Sequence, residues 1–182
     1  MIEPRPPENK QELFMALFTP LQSRLERYIV QLVGNREDAT DVLQDTVLAA
    51  WQHFDTLRDN SSFGAYVYTI ASNMVKRRHR KAKLFARWND EYDETLEAAT
   101  PSPERSVDIA LIKSALAELP LAAREAILLH DLQGLSIEEV RKIQGGTISA
   151  VKVRLMRARR QLAKKLGVDS TPSPSLSPVL EQ

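Results

Sequence analysis

Cysteine is absent from the 182-residue chain, which excludes a disulfide framework, thiolate catalysis and thiolate zinc sites, and suits a reducing compartment. Histidine is nearly as scarce. His53, His79 and His130 are scattered without ligand spacing, so neither a metal nor another cofactor is expected. Long apolar runs are missing as well: Val47 to Trp51 and Ala126 to Leu129 fall far short of the roughly 20 residues that cross a bilayer. The first ten residues, MIEPRPPENK, contain no secretory hydrophobic region. The expectation is a soluble, cytoplasmic protein without membrane insertion. No Ser/His/Asp arrangement, metal-ligand cluster or phosphate-cradling glycine loop stands out, so neither an enzyme nor a small-molecule substrate is expected.

An excess of one charge is also lacking, since 25 Lys and Arg face 24 Asp and Glu for a net charge of +1. Positive charge is concentrated instead, in Lys76 to Lys83 and again in Lys152 to Lys165. Phosphate neutralisation depends on the field at the contact surface rather than on the total, so this distribution suits two separate grips on a polyanion.

Strand alternation and internal repeats are absent, and three- and four-residue apolar steps predict an all-α chain of two small helical domains. Residues 1–9, rich in proline and polar groups, read as a disordered leader. Leu13, Phe14, Leu17 and Phe18, then Leu21, Leu25, Tyr28, Ile29 and Leu32, form helical stripes with a break or kink expected at Pro20. After Gly34-Asn35, the stripe Ala39, Val42, Leu43, Val47, Ala50, Trp51 and Phe54 marks an amphipathic helix with an acidic opposite face. Ser62 is an N-cap candidate for a helix through Val67, Ile70, Ala71 and Met74 that runs into the first basic stretch, closing a domain at 10–83. Residues 84–106 read as an acidic, flexible linker carrying Asp90, Glu91, Asp93, Glu94, Glu97 and Glu104. A second domain at 107–167 contains a helix ending at Pro120, another from Ala122 to Leu132, a short helix opened by the capping-box pair Ser136 and Glu139, and a last helix capped by Thr147. The Ser/Pro-rich tail, 168–182, reads as disordered.

Short helix, glycine turn and basic helix outline a helix-turn-helix. At 100° per residue, Ile148, Val151, Leu155, Ala158 and Leu162 share one side of the last helix, while Ser149, Val153, Arg157, Arg160 and Lys164 share the other. Ser149, Ala150, Val153 and Arg154 are therefore candidates for base-edge contact, and Arg157, Arg160 and Lys164 for backbone contact; an ordinary solvated face is the alternative. In the first domain, Asp38, Asp41, Gln44 and Asp45 either complement the helix dipole or form a partner-binding face. Asn60, Ser61, Ser62, Phe63, Tyr66 and Tyr68 precede the cations Lys76, Arg77, Arg78, Arg80, Lys81 and Lys83, an order that suits single-stranded DNA. Burial in the core is the competing reading for Phe63 and Tyr66, and the favoured one for Trp51.

With both domains read, the chain resembles the extracytoplasmic-function (ECF) class of bacterial sigma-70 RNA polymerase sigma factors over most of residues 10–166. The resemblance rests on the runs at residues 35–45, 61–63, 70–73, 119–120, 134–140 and 151–155. It implies promoter DNA, core RNA polymerase and an anti-sigma factor as partners. It places Asp38, Asp41, Val42, Gln44 and Asp45 against core polymerase. It places Asn60, Ser61, Ser62, Phe63, Tyr66, Asn73, Lys76, Arg77 and Arg80 on the minus-ten element. Thr147, Ser149, Ala150, Lys152, Val153, Arg154, Arg157, Arg160 and Lys164 would meet the minus-35 element. The sequence departs from the family pattern at Arg141, Gln144 and the turn Gly145-Gly146-Thr147. Two other readings are a sigma mimic that occupies an anti-sigma factor and a stand-alone helix-turn-helix regulator.

Overall fold

The structure is a computed structural model that describes residues 9–57, 59–86 and 106–167. The expected leader up to residue 8, the acidic linker between 87 and 105 and the tail from 168 lie outside the described residues. The described residues form seven α-helices with no strand among them.

α1 (Lys10–Val33) starts where the Asn9 side chain accepts the Glu12 N–H at 2.9 Å. It ends at Gly34, whose φ of 87° supplies the left-handed cap conformation that costs other residues a steric penalty. Pro20 does not divide this helix as expected. Proline removes one i→i−4 bond, but Phe14 and Phe18 before it and Leu25, Tyr28, Ile29 and Leu32 after it bury one continuous face, which holds both halves in register. α2 (Arg36–Gln52) is capped by Asn35, which accepts the Asp38 N–H at 2.8 Å. Two 3₁₀ turns, Phe54–Thr56 and Asn60–Ser62, lead into α3 (Phe63–Ala86). Asp59 caps the second of these turns, accepting the Ser61 N–H at 2.9 Å, and Ser62, the expected cap, stands immediately before α3. α3 also continues through Leu84 to Ala86, beyond the expected domain end at 83.

The first three helices pack on one another around Phe14. Its ring meets Trp51, Phe54 and Phe63 edge-on at centroid distances of 5.3, 5.3 and 5.5 Å, the geometry that aromatic quadrupoles favour. Trp51 is partly covered, with the Lys10 ammonium 4.8 Å from its ring centroid.

The second half comprises α4 (Ser106–Ala117), α5 (Leu121–Ile127) with a π-helical turn at Leu128–Leu132, α6 (Ile137–Gln144) and α7 (Ile148–Lys165). Ser136 and Glu139 form the expected capping box, each bonded to the other's backbone N–H. Ala126, Leu128, Leu129, Val140, Val151, Leu155 and Ala158 make the core of this half. The halves are packed together: α6 lies on α3, and α4 and α5 lie on α1.

Candidate nucleic-acid interface

α7 separates its two faces as periodicity requires. Val151, Leu155 and Ala158 are buried, while Ser149, Ala150, Lys152, Val153, Arg157, Arg160 and Lys164 are exposed. Ile148, expected on the packing side, is instead 38% exposed, because it opens the helix ahead of the first turn that reaches the core. Val153 is 41% exposed in the midst of cations, an apolar contact suited to a thymine methyl rather than to packing. Thr147 accepts the Ala150 N–H at 3.1 Å and so fixes where the helix begins. Gly145 and Gly146 have φ of 80° and 86°, left-handed values that allow the chain to turn between α6 and α7 in two residues. Gln144, unusual for the family pattern, has a definite place: its Nε2 donates to the Ala122 carbonyl at 2.9 Å, and its Oε1 accepts from Arg154 Nη1 at 2.5 Å.

On the first half, α3 projects Asn73, Arg77 and Arg80 to solvent, with Lys76 partly covered. The turn before it displays Asn60, Ser61 and Ser62, all exposed. Hydrogen bonds from the Ser61 hydroxyl and backbone N–H hold the Asp59 carboxyl below its ordinary range, which stabilises this turn in its charged form. Phe63 is a correction. At 1% exposure, enclosed by Phe14, Phe54 and Tyr66, it belongs to the core and cannot stack on a base without unfolding the bundle. Tyr66 is half-buried, its hydroxyl 3.5 Å from the Ala50 carbonyl.

α2 presents Asp41, Gln44 and Asp45 outward beside Leu48, which is 55% exposed. Val42 is a second correction: it is 4% exposed and packs inward, since it stands on the same stripe as Ala39 and Thr46. Asp38 is partly covered, accepts from the Asn35 side-chain amide at 2.8 Å and pairs with Arg78 of α3.

The two halves share one continuous apolar cluster, and the polar part of their junction centres on Glu125 of α5, which is 1% exposed. One carboxylate oxygen accepts from Ser72 Oγ and from Tyr28 Oη at 3.3 Å; the other accepts from Gln144 Nε2 at 2.7 Å and lies 3.2 Å from Lys76 Nζ. Burial, then the Glu125 charge, pushes the Tyr28 phenol well above its ordinary value, so it remains a donor. Arg124 beside it is buried and donates to the Leu32 and Leu119 carbonyls at 3.3 Å and to the Ala117 carbonyl, serving the ends of α1 and α4; desolvation lowers its pKa. Gln133 completes the junction. Its backbone carbonyl accepts from Arg24 at 2.5 Å and its side chain accepts from Tyr68 at 2.9 Å. None of Arg24, Glu125, Arg124 and Gln133 was a candidate from sequence. The adjacent Arg124-Glu125 pair on an otherwise apolar helix is the one signal that marks this site in the chain.

Comparisons with known proteins agree with this layout. Residues 17–85 match Sigma-70 region 2 and residues 109–162 match Sigma-70, region 4. The chain is 31% identical over 146 residues to the ECF RNA polymerase sigma factor EcfG of Rhodopseudomonas palustris, covering 80% of each. It is 32% identical to the ECF RNA polymerase sigma factor SigL of Mycobacterium tuberculosis, covering 86% of this chain and 92% of the other. Among solved structures, the sigma factor RpoE of Bartonella quintana, crystallised with the anti-sigma factor NepR, superposes with a TM-score of 0.79 at 30% identity, covering 86% of this chain and 98% of that one.

Proposed function

This chain belongs to the ECF class of sigma-70 RNA polymerase sigma factors, and we propose that its first half, residues 10–83, binds core polymerase and the minus-ten element while residues 107–167 read the minus-35 element. The observation that carries this assignment is the outer face of α7, where Ser149, Val153 and Arg157 stand exposed above a buried Val151, Leu155 and Ala158. Base-reading groups lie near the helix start and cations follow, the order in which a recognition helix meets bases and then phosphates.

On the first half, Asn60, Ser61 and Ser62 receive a displaced base, with Tyr66 at the margin, while Asn73, Lys76, Arg77 and Arg80 hold phosphates of the adjoining strand. The exposed acids Asp41 and Asp45, with Gln44 and Leu48, dock α2 on a basic face of core polymerase, and Asp38 supports that helix end. Flipping a base costs on the order of a few kcal/mol, so strand contacts formed only after opening offset part of the melting cost. The protein acts as a dissociable specificity subunit in the cytoplasm, and the synthesis of RNA belongs to polymerase. The described helices contain none long and apolar enough to cross a membrane. An anti-sigma factor is a further partner, by analogy with the NepR complex of RpoE.

In vitro transcription with bacterial core polymerase over a promoter library, with and without the protein, tests this function. Promoter-dependent initiation that requires both components is expected. A folded protein that leaves start-site choice unchanged rejects it.

A further inference from the structure

One polar chain crosses the molecule and ends on a cation at each side. Arg154 of α7 donates to Gln144 Oε1 at 2.5 Å, Gln144 Nε2 donates to Glu125 at 2.7 Å, and the same Glu125 oxygen lies 3.2 Å from the Lys76 ammonium of α3. We propose that Gln144 and Glu125 are positioning residues that couple the two promoter-reading elements, holding Arg154 and Lys76 together while the halves are packed and releasing them together when promoter DNA takes either one. This coupling rests on the proposed roles of Arg154 and Lys76 as DNA contacts.

The amide of Gln144 makes the chain directional. Its oxygen faces a guanidinium and its nitrogen a carboxylate and a carbonyl, so the reversed amide would set donor against donor and acceptor against acceptor. Arg154 and Glu125 thus enforce the same orientation of one side chain, and removing one weakens the hold of the other. Glu125 is buried, and among the described residues Lys76 is the one cation that forms an ion pair with it. If Lys76 moved to a phosphate with the halves still packed, the carboxylate would be left in a dry site with neutral donors, which is strongly unfavourable. Water can replace those donors once the halves part. Apolar packing also crosses the junction, because the buried cores of the two halves form one cluster, but its remaining polar contacts, Arg24 and Tyr68 on Gln133 and Arg124 on the Leu32 carbonyl, are ones that solvent can satisfy.

The two reading elements are not equally accessible. The outer face of α7 is open, whereas α6 lies along α3, and the cleft between them is lined by Asn73, Lys76, Arg80 and Lys142. Closure therefore brings Lys142 toward a stretch of its own sign and covers part of the strand-binding surface. A duplex can engage α7 first; when Arg154 turns to a base edge, Gln144 loses the partner that fixes its amide, Glu125 loses its hold on α6, and α3 is uncovered. By linkage, a strand that captures Lys76 raises the affinity of α7 for its duplex by the same factor.

Because the chain contains no cysteine, paired spin labels can be placed on the full-length protein at Ser23→Cys and Glu138→Cys, both exposed and on opposite halves. The probes are a minus-35 duplex and a minus-ten single strand, cut from a promoter that the holoenzyme selects from a random library. At fixed salt, the duplex should lengthen the label distance in the otherwise wild-type protein and tighten binding of the single strand by about fivefold or more. Gln144→Glu keeps the acceptor for Arg154 but turns a repelling carboxylate on Glu125; its labels should lie apart before DNA is added, and the enhancement should fall below about twofold. Glu125→Gln, close in size, should behave alike, and circular dichroism verifies that both variants retain their helices. A short label distance with undiminished enhancement in both folded variants overturns the coupling. Unchanged affinity of Arg154→Ala for the duplex and of Lys76→Ala for the single strand overturns instead the DNA-contact roles on which it rests.

Discussion

Asp38, at the start of the helix assigned to polymerase, forms an ion pair with Arg78, a member of the basic stretch assigned to DNA. The pair ties the first turn of α2 to α3, while Asp41, Gln44 and Asp45 remain exposed further along the helix. Both partners are substantially exposed, so a double-mutant cycle on Asp38→Ala and Arg78→Ala, read by denaturant unfolding, should give a coupling of about 0.2–1 kcal/mol. Polymerase affinity should respond more to Asp41→Ala, and an equal response from Arg78→Ala would show that the pair, rather than the outward face, governs docking.

Phe63→Ala should destabilise the protein by about 3–5 kcal/mol, because it leaves a cavity in the buried aromatic cluster around Phe14. Ser62→Ala, on the exposed turn, should leave the melting temperature nearly unchanged and slow open-complex formation, measured by permanganate footprinting. A folded Phe63→Ala protein of wild-type stability, defective only in opening, would return Phe63 to the base-binding site.

Arg124 offers a contrast between buried and exposed guanidinium groups. Arg124→Leu removes donors from three carbonyls and should cost about 3 kcal/mol in urea unfolding. Arg159→Ala breaks an exposed pair with Asp131 and should cost less than about 1 kcal/mol. Similar losses would mean that the carbonyl ends of α1 and α4 find water when Arg124 is gone.

Stability should decline at alkaline pH, and Tyr28 sets part of the slope. Its folded pKa lies well above the ordinary 10.0, mainly through burial and then the Glu125 charge, and Tyr66 and Tyr68 are raised as well. Below pH 10 each phenol is protonated in both states, so the contribution is full. Above it the unfolded chain releases protons that the native state retains, and stability falls as pH rises toward the folded pKa. Unfolding measured from pH 8 to 11 should show this decline, with a shallower slope in Tyr28→Phe. An unchanged slope would remove Tyr28 from the account.

Arg157→Ala and Lys164→Ala should weaken binding across promoter sequences by similar factors and reduce the salt slope by about 1 each. Loss confined to particular base substitutions would make either residue a base reader.

Much of this architecture was legible locally. Ser136 and Thr147 mark helix starts through their own side chains, and the stripe Val151, Leu155, Ala158 divides α7 because periodicity in the chain is periodicity in space. Pro20 does not break α1, since the penalty of one missing hydrogen bond is local while the face that overrides it spans the whole helix. Phe63 and Tyr66 could not be told apart for a related reason: at three residues' separation both lie near one face, and the partners that bury Phe63 come from Phe14 and Phe54.

The amino-acid order alone settled the helical class, the caps at Ser136 and Thr147, the two cationic stretches and the family, because each depends on neighbours within a turn or on motifs read in series. The tertiary structure alone decided that Glu125 is the hub of the molecule. Its donors stand at residues 28, 72, 76 and 144, and no pattern along the chain records which distant side chains will surround a carboxylate once water has been excluded from it.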